Sequence, residues 1–258
     1  MAVAWYLRLS ASLLTLLTLL LVAGCGGGSD LPPRTAETPA AGTTPPPGTS
    51  SGAPPGTSSG STTGGGDSAG DSVEGDINAA VSVTNAYWQT HWAELFTGAY
   101  NPPQVLGPYD GAAADVPSCG GTPLPNDNAV YCPDGDFVAW DMDLMRWGHE
   151  RGDAWVYRVI AHEWGHAVQN RLDAGLVDLA RELQADCLAG AVLFGAAKDK
   201  TLTFEDGDTN ELADALTALA DKTPWTNTSD HGDASQRVSY FSRGAQSGVK
   251  GCLPNAGQ

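Results

Sequence analysis

Between residues 26 and 72, forty-one of forty-seven residues are Gly, Ser, Thr, Pro or Ala, and none is aromatic. Such a segment cannot bury enough apolar surface to offset the entropy of ordering it. Any packed core must therefore come from residue 73 onward, where the composition changes abruptly to aromatics, Val and Leu. That leaves 186 residues, one domain's worth of chain. The 47-residue stretch reads as a tether, with a span of about 35–40 Å as a flexible coil. Acidic residues outnumber basic ones by 30 to 13, a net charge of −17. A surface of that sign repels polyanions, so nucleic acid is not an expected partner.

Upstream, residues 1–8 carry one arginine and precede an apolar run over residues 9–24. Sixteen helical residues reach about 24 Å, short of a bilayer's hydrocarbon core of about 30 Å. The pattern fits an export signal better than a membrane span. Leu21-Val22-Ala23-Gly24-Cys25 resembles the lipobox of bacterial lipoproteins. The resemblance implies a signal peptide over 1–24, a lipid on Cys25 and a tether over 25–72. The domain of residues 73–258 would then lie outside the cytoplasm, anchored to the cell membrane. The four other cysteines form an even set suited to an oxidising compartment. Of their three possible pairings we favour Cys119–Cys132, closing a short loop, and Cys187–Cys252, stapling the C-terminal tail to a helix.

Apolar residues at helical spacing predict a helix over 77–97, with Ile77, Val81, Trp88, Trp92 and Phe96 inward and Asp76 as its cap. A Gly-, Pro- and Asn-rich stretch follows, with one short strand near 104–106. Residues 129–132 and 137–142 read as strands joined by Pro133-Asp134-Gly135. Helices are then expected over 154–171, capped by Asp153, and over 176–198, 209–221 and 233–243, the last ending at Gly244. In the second of these, Leu179, Leu183, Cys187, Ala191 and Phe194 form the expected buried stripe. This order predicts an α+β domain, a small antiparallel or mixed sheet packed against a helical C-terminal half.

His162-Glu163-Trp164-Gly165-His166 lies inside the first of these helices. Two histidines four apart on a helix stand one above the other, so both imidazoles can reach one ion. Glu163 then faces the open coordination position, where it can take a proton from a metal-activated water. Composition alone would produce such a pattern about 0.003 times in a chain like this. Catalytic zinc wants a third protein ligand. Glu182 and Asp186, again four apart, share a face of the next helix. One of them can bind the ion while the other accepts a hydrogen bond from a ligand histidine.

These residues, with Glu-Leu-Gln-Ala-Asp-Cys-Leu-Ala-Gly at 182–190, resemble the neutral zinc metallopeptidases of bacteria, of gluzincin type. His231-Gly232-Asp233-Ala234-Ser235-Gln236-Arg237, Phe241, Arg243-Gly244 and Tyr131-Cys132-Pro133 extend the likeness over about 130–252. The resemblance implies a zincin-like fold, one zinc per chain on His162, His166 and Glu182, and Asp186 supporting His162. A peptide or protein would be the substrate. In zincins an edge strand pairs with the extended substrate, and residues 137–141 are the candidate, set against a role as an ordinary core strand. His231 is the candidate donor to the oxyanion, with Arg237 as its rival or as a structural ion-pair partner. His91 and His149 carry no motif. Two further readings compete: a deformylase-like hydrolase using Cys132 as third ligand, and a non-catalytic zinc-containing lipoprotein acting as a binding or scaffold module.

Overall fold

The computed structural model describes residues 72–224, 226 and 230–254, which fall within the compact unit Thr62–Gln258. The expected signal peptide, Cys25 and all of the tether except Ser72 lie outside the described residues. Helix α1 spans Val73–Leu95, four residues earlier than its apolar spacing suggests. Ser72 caps it by accepting a hydrogen bond from the Gly75 N–H at 3.1 Å. Asp76 is instead buried inside the first turn, where it faces His149 Nε2 at 2.9 Å. Ile77, Ala80, Trp88 and Trp92 form the buried stripe, with Val81 and Phe96 packed at its margin.

Strand β1, Gln104–Tyr109, runs on past the expected short strand. A two-residue hairpin follows, β2 at Ser118–Cys119 and β3 at Thr122–Pro123. Strands β4, Ala129–Cys132, and β5, Phe137–Asp141, complete a sheet of order β1-β5-β4. β1 runs parallel to β5, and β4 is antiparallel to it. Residues 137–141 are therefore the central strand, paired on both sides, and β1 and β4 are the two edges. The expectation that residues 137–141 receive substrate is corrected accordingly. β5 stops at Asp141, whose buried carboxylate accepts hydrogen bonds from Asp143, Gly111 and Asp127 N–H groups at 2.9, 3.2 and 2.8 Å. The first of these caps an unexpected helix, α2, Met142–His149.

Helix α3, Asp153–Gln169, is the axis of the domain: fourteen of its seventeen residues are buried. A helix this enclosed needs apolar neighbours on all sides rather than one amphipathic stripe. Trp155, Val156, Ile160 and Trp164 meet α1 and the sheet. Its start has no side-chain cap: Asp153 is its first residue, Gly152 precedes it, and the Ala154 N–H is met across the fold by Glu211 at 3.3 Å.

Helix α4 spans Arg181–Lys198 after a short 3-10 turn at Ala174–Leu176. It starts later than expected, so Leu179 lies before it and is 73% exposed instead of belonging to the stripe. Helices α5, Asp208–Ala218, and α6, Ala234–Ser247, close the helical half. A second apolar cluster, with Ala161, Leu193, Leu212, Leu216 and Phe241, joins them to α3 and α4. Gly244 does not end α6. It is buried within it, where any Cβ would lie 1.8 Å from the Cys187 carbonyl oxygen, so glycine here sets how closely α6 crosses α4. Both favoured disulfides are present, Cys119–Cys132 and Cys187–Cys252. No helix of the described residues is long and apolar enough to cross a membrane.

Candidate metal centre

Helices α3 and α4 run antiparallel, as their contacts require. Arg158 and His162 meet Asp186, while Gln169 near the end of α3 meets Arg181 at the start of α4. They pass close to each other at Gly165, the small residue of the His-Glu-Trp-Gly-His segment. A Cβ there would come within 3.0 Å of the Ala185 backbone. This narrow crossing brings the two carboxylates of α4 against the two histidines of α3.

Three donor atoms converge. His162 Nε2 lies 3.2 Å from His166 Nε2 and 3.1 Å from Glu182 Oε2, and His166 Nε2 lies 3.3 Å from the same oxygen. Ligands 2.0–2.1 Å from a tetrahedral zinc stand about 3.3–3.4 Å apart, so this triangle has close to the size of one face of such a shell. The other ring nitrogens are committed to acceptors. His162 Nδ1 donates to Asp186 at 2.8 Å, and His166 Nδ1 donates to Gln169 Oε1 at 3.0 Å. Both Nε2 lone pairs are then left facing a carboxylate oxygen. Three electron pairs aimed at one point repel one another unless a cation lies between them, so the donor set fits a divalent ion.

The electrostatics point the same way. Burial disfavours charge on Glu182, but hydrogen bonds and charge from His162 and His166 outweigh it and hold the carboxyl far below its usual range. Burial likewise works against a charged His166, yet Glu182 pushes that imidazole up to about 9. A pocket that draws a proton this strongly is one built around negative charge, and a metal cation would meet the same field. Asp186 is fully buried and still held well below the carboxylate range, because Arg158, Arg237 and His162 outweigh its desolvation.

Several supporting residues carried no signal of their own in the sequence. Gln169 donates through its amide nitrogen to the Arg181 carbonyl at 2.7 Å and to Gln184 Oε1 at 3.0 Å. Gln184 in turn donates to the Leu176 and Cys252 carbonyls at 2.8 and 3.1 Å. This chain of bonds fixes which end of the Gln169 amide faces His166. Arg158, one turn before His162, pairs with Asp186. The spacings of Gln169, three after His166, and Arg158, four before His162, placed both on the metal-facing side, but ordinary Gln and Arg are common on helices.

The site opens into a cleft lined by β4 and Asn128 together with Glu163, Arg181, Glu182 and His231. Glu163 is 8% exposed, beside the two histidines. His231 stands at the rim, its Nδ1 3.5 Å from Asp221 Oδ1 and its Nε2 3.8 Å from Glu182 Oε2. Arg237 is not available to the cleft. It is buried and committed to Asp186, at 2.7 and 3.0 Å, and to the Leu219 carbonyl. It is the ion-pair partner that the sequence reading held as its other role. Cys132 is spent in a disulfide, which removes the deformylase-like reading. His91 bridges Glu94 and Asp199 at 3.0 and 2.6 Å, away from the cleft.

A family model described as "Putative neutral zinc metallopeptidase" matches residues 48–253. Among curated proteins, the chain is similar to uncharacterized protein YpfJ of Escherichia coli K12, 30% identical over 146 residues, covering 46% of this chain and 50% of that one. Uncharacterized proteins Rv2575 of Mycobacterium tuberculosis and Mb2605 of Mycobacterium bovis are each 32% identical over 152 residues, covering 46% of this chain and 51% of theirs. The chain thus spans about half the length of the curated relatives it matches. No solved structure matches it.

Proposed function

The chain belongs to the neutral zinc metallopeptidase family, and from that membership and the geometry of its cleft we propose that it hydrolyses peptide bonds with one zinc ion. His162, His166 and Glu182 would hold the ion. Zinc bound there would polarise a water and the scissile carbonyl. Glu163, which lines the cleft beside the two histidines, would accept the proton of the attacking water and later deliver it to the leaving amine. His231, whose backbone N–H donates to Asp221 at 2.7 Å, would offer Nε2 as a donor to the oxyanion. The free edge of β4 faces the cleft and can pair with an extended substrate's main chain, the role first considered for residues 137–141. Asp186 and Gln169 keep both imidazoles in the tautomer whose Nε2 points inward.

The observation that carries this reading is the triangle of donors with both Nδ1 atoms already occupied. A structural zinc site is normally closed by four protein ligands. Three ligands with an adjacent glutamate favour catalysis over the non-catalytic binding or scaffold reading. We further propose that the domain works outside the cytoplasm, tethered through Cys25. Two disulfides support an oxidising compartment, and Cys25→Ser would release the protein from the membrane fraction.

The test is a pair of variants. Glu163→Gln retains one zinc per chain by metal analysis and loses about 10²- to 10⁴-fold or more in peptide cleavage. Glu182→Ala loses the zinc itself. A Glu163→Gln protein that cleaves as well as its parent removes the base, and a Glu182→Ala protein with unchanged zinc content removes the ligand.

A further inference from the structure

Every arginine among the described residues but one has a partner. Arg158 and Arg237 pair with Asp186, Arg171 with Asp136, Arg146 with Asp143, and Arg151 with Asp214 and the Trp147 ring. Arg243 lies over the Tyr240 ring at 4.2 Å. The exception is Arg181. It is exposed, lines the cleft, and its guanidinium makes no hydrogen bond or ion pair. In a chain with 30 acidic residues against 13 basic ones, an arginine with neither a carboxylate nor a ring as partner is out of the ordinary, and this one stands at the substrate cleft.

Its position is fixed even though its head group is free. The Arg181 carbonyl accepts the Gln169 amide at 2.7 Å, so its backbone is held by the same bonds that orient His166. It directly precedes Glu182, and it is the first residue of α4, whose N-terminus has no side-chain cap. The helix dipole adds to the positive potential there. A guanidinium presents a planar fork of donors that matches a carboxylate bidentately.

We propose that Arg181 forms a subsite for a substrate carboxylate beside the scissile bond, making it a specificity-determining residue for acidic peptides. The proposal rests on the peptidase reading for what the cleft binds. The carboxylate comes either from an Asp or Glu side chain or from a free C-terminus. The acidic exterior of the molecule disfavours polyanions as a whole, so the preference is for one carboxylate placed locally.

The experiment uses the zinc-loaded Glu163→Gln protein and three short peptides: Ac-Ala-Ala-Glu-Ala-Ala-NH2, its Gln counterpart, and the Gln peptide with a free C-terminus. Binding is measured by competition at low salt. One of the two carboxylate peptides binds about tenfold more tightly than the neutral one, a margin that shrinks with added salt. Which of them gains identifies the source. Adding Arg181→Gln removes the margin, Arg181→Lys keeps part of it, and zinc content stays unchanged in both. Equal binding of all three peptides, or a margin that survives Arg181→Gln, overturns the proposal. Cleavage of the same peptides by the parent protein is followed separately. An Arg181-dependent margin without any cleavage sinks the hydrolase reading and leaves the carboxylate subsite standing.

Discussion

Each of the two α3 histidines in the donor triangle owes its orientation to one buried neighbour. Asp186 gives His162 a charged acceptor, itself saturated by two arginines, whereas Gln169 gives His166 a neutral one. The amide of Gln169 faces the right way because Gln184 takes its other end. Gln169→Leu removes the acceptor, freeing His166 to turn or to change tautomer. Zinc affinity should fall about 10- to 100-fold in a chelator-competition titration. Gln169→Glu restores an acceptor and should recover most of the loss. An equal loss in both variants would mean that Gln169 acts only by packing.

At the scale of elements, the domain depends on how α1 is fastened to the helices behind it. His91 ties α1 to the residue following α4 by bridging Glu94 and Asp199. Its pKa is raised, first by the hydrogen bond to Glu94, then by Asp199, against the opposing effect of burial. A raised folded-state pKa means that the protonated form is the stabilising one. Its contribution is complete below the unfolded value of about 6.5 and is lost as pH rises through the folded value. Urea unfolding of the parent should therefore show an extra loss of stability from about pH 6 upward that His91→Gln lacks. Parallel pH profiles for the two proteins would dismiss the bridge as a stabilising contact.

For the molecule as a whole, the disulfide Cys187–Cys252 does two jobs. It closes a loop with a sequence separation of 65 residues, for which the chain-entropy treatment gives about 4 kcal/mol of stabilisation. It also holds the Cys252 carbonyl against Gln184, and so reaches His166 through Gln169. The Cys187→Ser/Cys252→Ser protein should unfold at clearly lower urea concentration and bind zinc more weakly than its parent. Removing Cys119–Cys132, which closes a separation of 13 residues near the sheet, should cost stability without that loss of zinc affinity.

Helical periodicity and the four-residue spacings were enough to place His162, Glu163 and His166 on one helix and Glu182 and Asp186 on the next, because a side chain's face along a helix is set by local geometry alone. The α+β order, the pair of strands near residue 130 and the cysteine pairings were legible for the same reason: each is signalled by neighbours in sequence or by parity. What the sequence left open was most of the choices made across the fold. The orientation of the Gln169 amide that sets the His166 tautomer, the commitment of Arg237 to Asp186 and the isolation of Arg181 in the cleft depend on residues 12 to 51 positions apart or on the lack of any partner. That β5 is central and not an edge depends on β1, whose parallel pairing with β5 crosses more than thirty residues. The cap of α3 was misread, not its start, because the Ala154 N–H is met across the fold by Glu211 while Asp153 is already the first residue of the helix. Local patterns record where a side chain points along its own element, whereas what it meets there is set by the packing of elements that no short window of sequence contains.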